Sequence, residues 1–305
     1  GMNPFINAQG YATTGMISVV IGAIANIVLD PLFIFMLNLG IRGAAIATVL
    51  SQCLSAGFVL YFLSKKAEYK VRLLYKEEIR TCGKDAKNIV SLGTAGFVMQ
   101  LTNSLVSIYC NNVLSATGGD VYVSVMTIIS SVRQMIETPI WSISEGSSPV
   151  ISYNYGAKRP KKVIEAWITM SVLALIYSLI AWSVILFAPK FLIGIFSSDK
   201  SLMIDTVPAM KLYFSAFIFM LFQYTGQTMF KSLNKKKQAI FFSILRKVII
   251  VVPMTYMFPY VFHMGSNGVF MAEPVSNVIG GSLCFIVMLL TVLPELKQMN
   301  SDLSS

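Results

Sequence analysis

The stretch Ile164–Ala188, IEAWITMSVLALIYSLIAWSVILFA, decides the fold, because it runs 25 residues with one charge, Glu165, at its start. An α-helix rises 1.5 Å per residue, so about 20 apolar residues match the roughly 30 Å hydrocarbon core of a bilayer. Lipid offers no partners to bare backbone, which leaves the helix as the form such a stretch takes. Working outward, seven more stretches of this kind are read at Ala12–Leu37, Ile41–Leu63, Ile89–Ser115, Tyr122–Ile151, Thr206–Phe230, Ala239–Phe262 and Gly268–Leu293. The expectation is an all-α polytopic integral membrane bundle with eight transmembrane helices.

Composition agrees. The 305 residues are 55% hydrophobic and 12% charged, where a soluble domain carries about 25% charged residues. The net charge of +10 does not point to nucleic acid, because the basic residues sit in short loops between spans, as the positive-inside rule requires. The loop from Ser64 to Asn88 holds Lys65, Lys66, Lys70, Arg72, Lys76, Arg80, Lys84 and Lys87. A second basic loop holds Lys158, Arg159, Lys161 and Lys162, and a third Lys231, Lys235, Lys236 and Lys237. The loops around Asn38, Gly118, Ser198 and Ser266 are poor in cations. This alternation puts Asn3, the long loop and the tail after Pro294 on the cytoplasmic side. Cys53, Cys82, Cys110 and Cys284 show no metal-binding spacing and His263 is the only histidine, so neither a metal nor a cofactor is expected.

An internal repeat follows. Leu39-Gly40-Ile41-Arg42-Gly43-Ala44-Ala45-Ile46-Ala47, then Ser51-Gln52, matches Met264-Gly265-Ser266-Asn267-Gly268-Val269-Phe270-Met271-Ala272, then Ser276-Asn277, at a constant offset of 225. If residues 89–294 form one six-helix repeat, residues 1–63 are the last two helices of an earlier one. The segment 64–88 is then a cytoplasmic inter-lobe loop and 295–305 a cytoplasmic tail. Four helices, roughly 140 residues, are expected before Gly1. Six is even, so both halves share one orientation, and transporters of this build place a substrate site between the halves.

The motifs resemble those of the multidrug and toxic compound extrusion (MATE) transporters, bacterial drug-extrusion branch. They are Asn3-Pro4-Phe5-Ile6-Asn7-Ala8-Gln9-Gly10, Ala25-Asn26-Ile27-Val28-Leu29-Asp30-Pro31, Pro149-Val150-Ile151-Ser152-Tyr153-Asn154-Tyr155-Gly156, Leu245-Arg246-Lys247-Val248 and Ala272-Glu273-Pro274-Val275-Ser276. The resemblance implies twelve helices in two lobes, of which this chain is similar to helices five to twelve. It further implies a bacterial plasma membrane and export of cationic organic compounds in exchange for protons or sodium ions. The family's coupling acid on its first helix would precede Gly1. Where some relatives carry a glutamate, this chain has Gln100, Asn103, Asn111 and Asn112.

Polar residues inside apolar helices are costly and so point to function. Gly15, Ser18, Gly22, Asn26 and Asp30 recur at three- and four-residue steps on one face; Asp30 with Asn26 is a candidate for the coupling ion or a polar cap at the span's outer end. Arg133 and Glu137 form an i,i+4 pair, structural or ion-coupling. Glu145 lacks a charged neighbour at helical spacing and is a proton-shuttle candidate, while Pro139 and Pro149 are expected to bend their helix. Gln100, Asn103, Ser107 and Asn111 form a stripe that would line a substrate cavity with Phe219, Gln223, Tyr224 and Gln227. Aromatic faces attract organic cations. Glu273 is a further ion-coupling candidate. Arg246 is expected to snorkel to the cytoplasmic interface, too far from Glu273 to pair, and Trp167 to anchor at the interface or to serve in ordinary packing. A lipid-linked saccharide flippase is the alternative, wanting more cations than Arg133 and Arg246. Paired histidines, a GxSxG turn or clustered acids, which a membrane enzyme would need, do not occur, so no catalysis is expected.

Overall fold

The computed structural model describes residues 2–71, 83–197 and 199–302, and for 83–89, 91–96, 98, 99 and 302 the backbone alone. Of the expected cytoplasmic cations, Arg72, Lys76 and Arg80 lie outside the described residues, as do Cys82, Ser198 and the side chains of Lys84 and Lys87. The chain divides into two compact units, Gly1–Lys87 and Asn88–Ser305. The described cysteines Cys53, Cys110 and Cys284 are free thiols.

The first unit holds α1 (Asn3–Ala8), α2 (Ala12–Pro31) and α3 (Gly40–Lys65). The small face read from the sequence is the seam between α2 and α3. Ser55 Oγ donates to the Ser18 carbonyl at 2.8 Å, and a side chain at Gly22 would meet Ser55 Cβ at 3.2 Å. Small residues let apolar helices approach until their backbones nearly touch.

The second unit takes in α4 (Gly83–Gly156) from Asn88 onward, helical except at Gly119, where φ is +72° and ψ −172°. Only glycine takes that conformation without strain. Both arms of α4 feed one core: Val113 and Leu114 before the break, Val125, Ile128 and Ile129 after it. Helical dihedrals persist through Pro139 and Pro149. Next come α5 (Pro160–Phe187), α6 (Pro189–Phe196), α7 (Lys200–Tyr213) and α8 (Phe219–Ser232). Prolines open α5 and α6 where no amide partner is needed. Asp199 opens α7 by accepting from the Ser201 amide at 2.8 Å; these hydrogen bonds hold its carboxyl below the usual range. The chain ends with α9 (Lys236–Ile244), α10 (Val252–Tyr256), α11 (Ser266–Ser276) and α12 (Ser282–Asp302), interleaved with wider π-helical winding at Leu245–Val251, Met257–Val261 and Asn277–Gly281.

Six helical runs among the described residues are long and apolar enough to cross a membrane: Ala12–Met36, Gly40–Lys65, Gln100–Gly156, Pro160–Phe187, Lys236–Val261 and Ser266–Ser301. This corrects the expected eight. The stretches Ile89–Ser115 and Tyr122–Ile151 fall on the two arms of the one run α4, which meet at the kink at Gly119. The stretch Thr206–Phe230 is split between α7 and α8, each of 14 residues and each too short for a 30 Å core. Between them the backbone tightens into successive i→i+3 bonds, such as Phe217 to Phe214 at 3.1 Å. Trp182 Nε1 also donates to the Phe214 carbonyl, at 3.0 Å.

On α5 the buried residues Val163, Met170, Ala174, Ser178, Ala181 and Ile185 form one stripe, while Leu173, Ile176, Ile180 and Phe187 face outward. Such an apolar exterior suits hydrocarbon, not water. Trp167 stacks on Phe285 with centroids 5.9 Å apart.

The sequence repeat has a structural counterpart. Asn38 and His263 (φ 51° and 55°), and Gly40 and Gly265 (φ 52° and 57°), share left-handed backbone at the 225 offset. The π-helical turns at Leu32–Met36 and Met257–Val261 keep the same offset. The Leu39 amide donates to the Phe33 carbonyl at 3.2 Å, and the Met264 amide to Phe258 at 3.0 Å. A side chain at Gly43 would strike the Phe33 carbonyl oxygen at 2.6 Å, and one at Gly268 the Pro259 nitrogen at 2.6 Å.

Candidate functional site

Within the second unit, α4, α7, α8, π-wound Leu245–Val251 and α11 enclose a cavity of about 470 Å³, within the usual range for small-molecule sites. Asn103, Ser107, Asn111, Gln223, Tyr224 and Gln227 line it, as do Arg133, Glu137, Glu145, Arg246 and Glu273. The expected stripe on α4 faces inward because its residues recur one turn apart. Gln100, at its outer end, is exposed and does not reach the cavity. Phe219 also stays off the lining, packed edge-to-face on Phe222 at 5.8 Å.

A buried charge network forms one wall. Glu273 Oε1 accepts from Arg246 at 2.8 Å and Arg133 at 3.0 Å, and Lys247 Nζ lies 3.3 Å from both its oxygens. Arg133 Nε also pairs with Glu137, and its Nη1 donates to the Tyr213 hydroxyl at 2.6 Å. Tyr224 donates to Glu137 at 3.3 Å. Glu273 is thus committed to three cations, which weighs against the open coordination an ion-coupling acid needs.

The Arg246–Glu273 pair corrects the expectation of a snorkelling Arg246. That expectation assumed a uniform rise along both helices. The π-helical winding between Arg246 and Val261 fits more residues into each turn and lowers Arg246 to the level of Ser276, whose hydroxyl donates to the Arg246 carbonyl at 3.1 Å. Glu273 is then one turn away. Gly280 allows the approach, since a side chain there would meet Arg246 Cγ at 3.1 Å. The same winding narrows the roughly 100° between consecutive side chains and lets neighbours Arg246 and Lys247 reach one carboxylate.

Glu145 pairs across helices with Lys231 at 3.5 Å, both about half exposed, so its partner comes from α8 rather than from its own helix. Asn26 Nδ2 donates to Asp30 at 3.3 Å in the first unit. Sequence reasoning missed Tyr213 and Trp141. Trp141 was within reach of it, lying four residues beyond Glu137 on the same face. Gln223 Oε1 is buried without a hydrogen-bond partner among the described residues. No group of three or more metal-ligating side chains gathers among the described residues.

Comparison with known proteins decides the family. The MatE model matches residues 96–257, more than half of the chain. The chain belongs to the MatE family. MatE proteins are membrane transporters and not enzymes, and this member is a multi-pass protein of the cell membrane. It is 26% identical over 296 residues to the multidrug export protein MepA of Staphylococcus aureus strain NCTC 8325, covering 95% of this chain and 62% of that protein. With MepA of Staphylococcus haemolyticus it shares 25% over 204 residues, covering 67% of this chain and 44% of the relative. The chain therefore spans less than two thirds of these relatives. A MOP superfamily transporter from Pyrococcus furiosus, described by the reverse polarity of its binding pocket, shares the MatE fold: TM-score 0.86, 24% identity, covering 98% of this chain and 66% of that one.

Proposed function

We propose that the chain is part of a secondary active antiporter that exports amphipathic organic compounds, cationic ones among them, in exchange for protons or sodium ions. The observation that carries the reading is a polar cavity of about 470 Å³ inside a bundle whose outer surface is apolar. A chamber of this kind serves passage of a ligand, not covalent chemistry. Coupling requires only that ion and compound favour different states of the protein. Asp30 and Glu145 are the acids with the freest surroundings for that role, since Glu137 and Glu273 are tied to Arg133.

The flippase alternative needs a site for a pyrophosphate. Arg133, Arg246 and Lys247 converge, but Glu273 and Glu137 take up most of their charge, and the remainder is too small for a polyanion.

The test uses the full-length protein that contains this chain, in proteoliposomes with an imposed proton or sodium gradient and amphipathic dyes of both charge signs. At least one dye should move with the gradient, and Asp30→Asn or Glu145→Gln should abolish that dependence while leaving the amount of protein unchanged. Absence of movement for every dye under both gradients overturns the reading.

A further inference from the structure

We infer that the cavity is a binding site for the head of an amphipathic monoanion, a carboxylate or a group of equal charge, held by Arg246, Arg133 and Lys247. This adds an anionic class to the substrates of the exporter proposed above and rests on that reading for its transport, though not for its binding.

Charge is the first argument. The described residues lining the cavity bring four cations, Arg133, Lys231, Arg246 and Lys247, against three carboxylates, Glu137, Glu145 and Glu273. Lys231 and Glu145 cancel each other at 3.5 Å. The inner wall keeps one positive charge in excess, away from the helix ends where water would screen it. A bound cation would double that excess; a monoanion removes it, and a dianion overshoots.

Hydrogen bonding gives the same answer. Both oxygens of Glu273 are taken, one of them by three donors, and Glu137 already accepts from Arg133 and Tyr224. Donors are in surplus. A guanidinium carries five N–H groups, and among the described residues Arg246 directs one at a side chain, Glu273. The wall therefore lacks acceptors, which a carboxylate supplies in a geometry matched to the arginine fork. Met126, Trp141, Val251 and Val269 on the same lining offer apolar surface for a tail.

The experiment compares two probes of equal chain length and opposite head charge on the purified full-length protein in nanodiscs. Bound radiolabelled octanoate is counted directly, and octyltrimethylammonium is tested likewise. Octanoate should bind at least about tenfold more tightly. Lys247→Gln, which brings the lining charge to zero, should lower octanoate affinity about tenfold and shrink the gap between probes, while Lys247→Arg retains both. Equal binding by the wild type, or tighter binding of the cation, overturns the inference even if Lys247→Gln fails to fold; so does unchanged octanoate binding in a folded Lys247→Gln. Gradient-driven dye movement without octanoate preference would uphold the exporter and overturn this site. Octanoate preference without gradient-driven movement of any compound would uphold the site and overturn the exporter.

Discussion

The turn from Leu32 to Gly43 in the first unit and the turn from Met257 to Gly268 in the second match down to single hydrogen bonds, yet the helices they join carry different side chains. At the 225 offset, Ile21, Gly22 and Thr48 stand where the second unit has Arg246, Lys247 and Glu273. Thr48 does nothing more than return its hydroxyl to the Ala44 carbonyl at 2.9 Å. The backbone device is common to both units, whereas the charge network belongs to one. Fold and charge network are therefore separable here: left-handed residues and a glycine at the crossing shape the hairpin, and three side chains add the buried charges to it.

The sharpest way to break this comparison is to neutralise Glu273. Glu273→Gln leaves Arg133, Arg246 and Lys247 with Glu137 as their remaining carboxylate, and removing one partner of a buried ionic group typically costs about 3–5 kcal/mol. The matching change Thr48→Val, at an exposed hydroxyl bonded to its own helix, should cost under about 1 kcal/mol. Thermal unfolding of the detergent-solubilised protein measures both; similar losses would mean that the charge network is not what distinguishes the units.

An intermediate effect is expected where the units agree. Gly43→Ala and Gly268→Ala each force a methyl group to within 2.6 Å of backbone, an overpacking worth about 1–3 kcal/mol. The two losses should be equal within experimental error, and a loss confined to one would show that the hairpins bear different loads. The smallest effect belongs to Glu145→Gln. Its pair with Lys231 is about half exposed and worth under about 1 kcal/mol, so the melting temperature should hardly move even where ion-driven transport is lost.

Much of this was legible in the sequence because periodicity reports on faces. The Arg133–Glu137 pair, the inward stripe of Asn103, Ser107 and Asn111, and the repeat at Gly40 and Gly265 all follow from local spacing. What spacing does not encode is the relative level of neighbouring helices. Arg246 meets Glu273 only because π-helical turns shorten one helix, and Glu145 meets Lys231 across a helix boundary. The break at 214–218 was also hidden: its residues are as apolar as a span, and it is held open by a hydrogen bond from Trp182, 32 residues away in the chain. The break at Gly119 was legible, since the loop expected around Gly118 falls on it.

The Arg246–Lys247–Glu273 network also constrains how the protein is made. Arg246 and Lys247 lie within the run Lys236–Val261, and each cation near the middle of a helix opposes insertion into lipid by about 2.5–3.5 kcal/mol. Their carboxylate arrives with the following helix, after a four-residue connection. Biogenesis therefore favours delivery of the two segments to the bilayer as a pair, with the earlier one detained at the translocation channel until synthesis has supplied its neutralising neighbour.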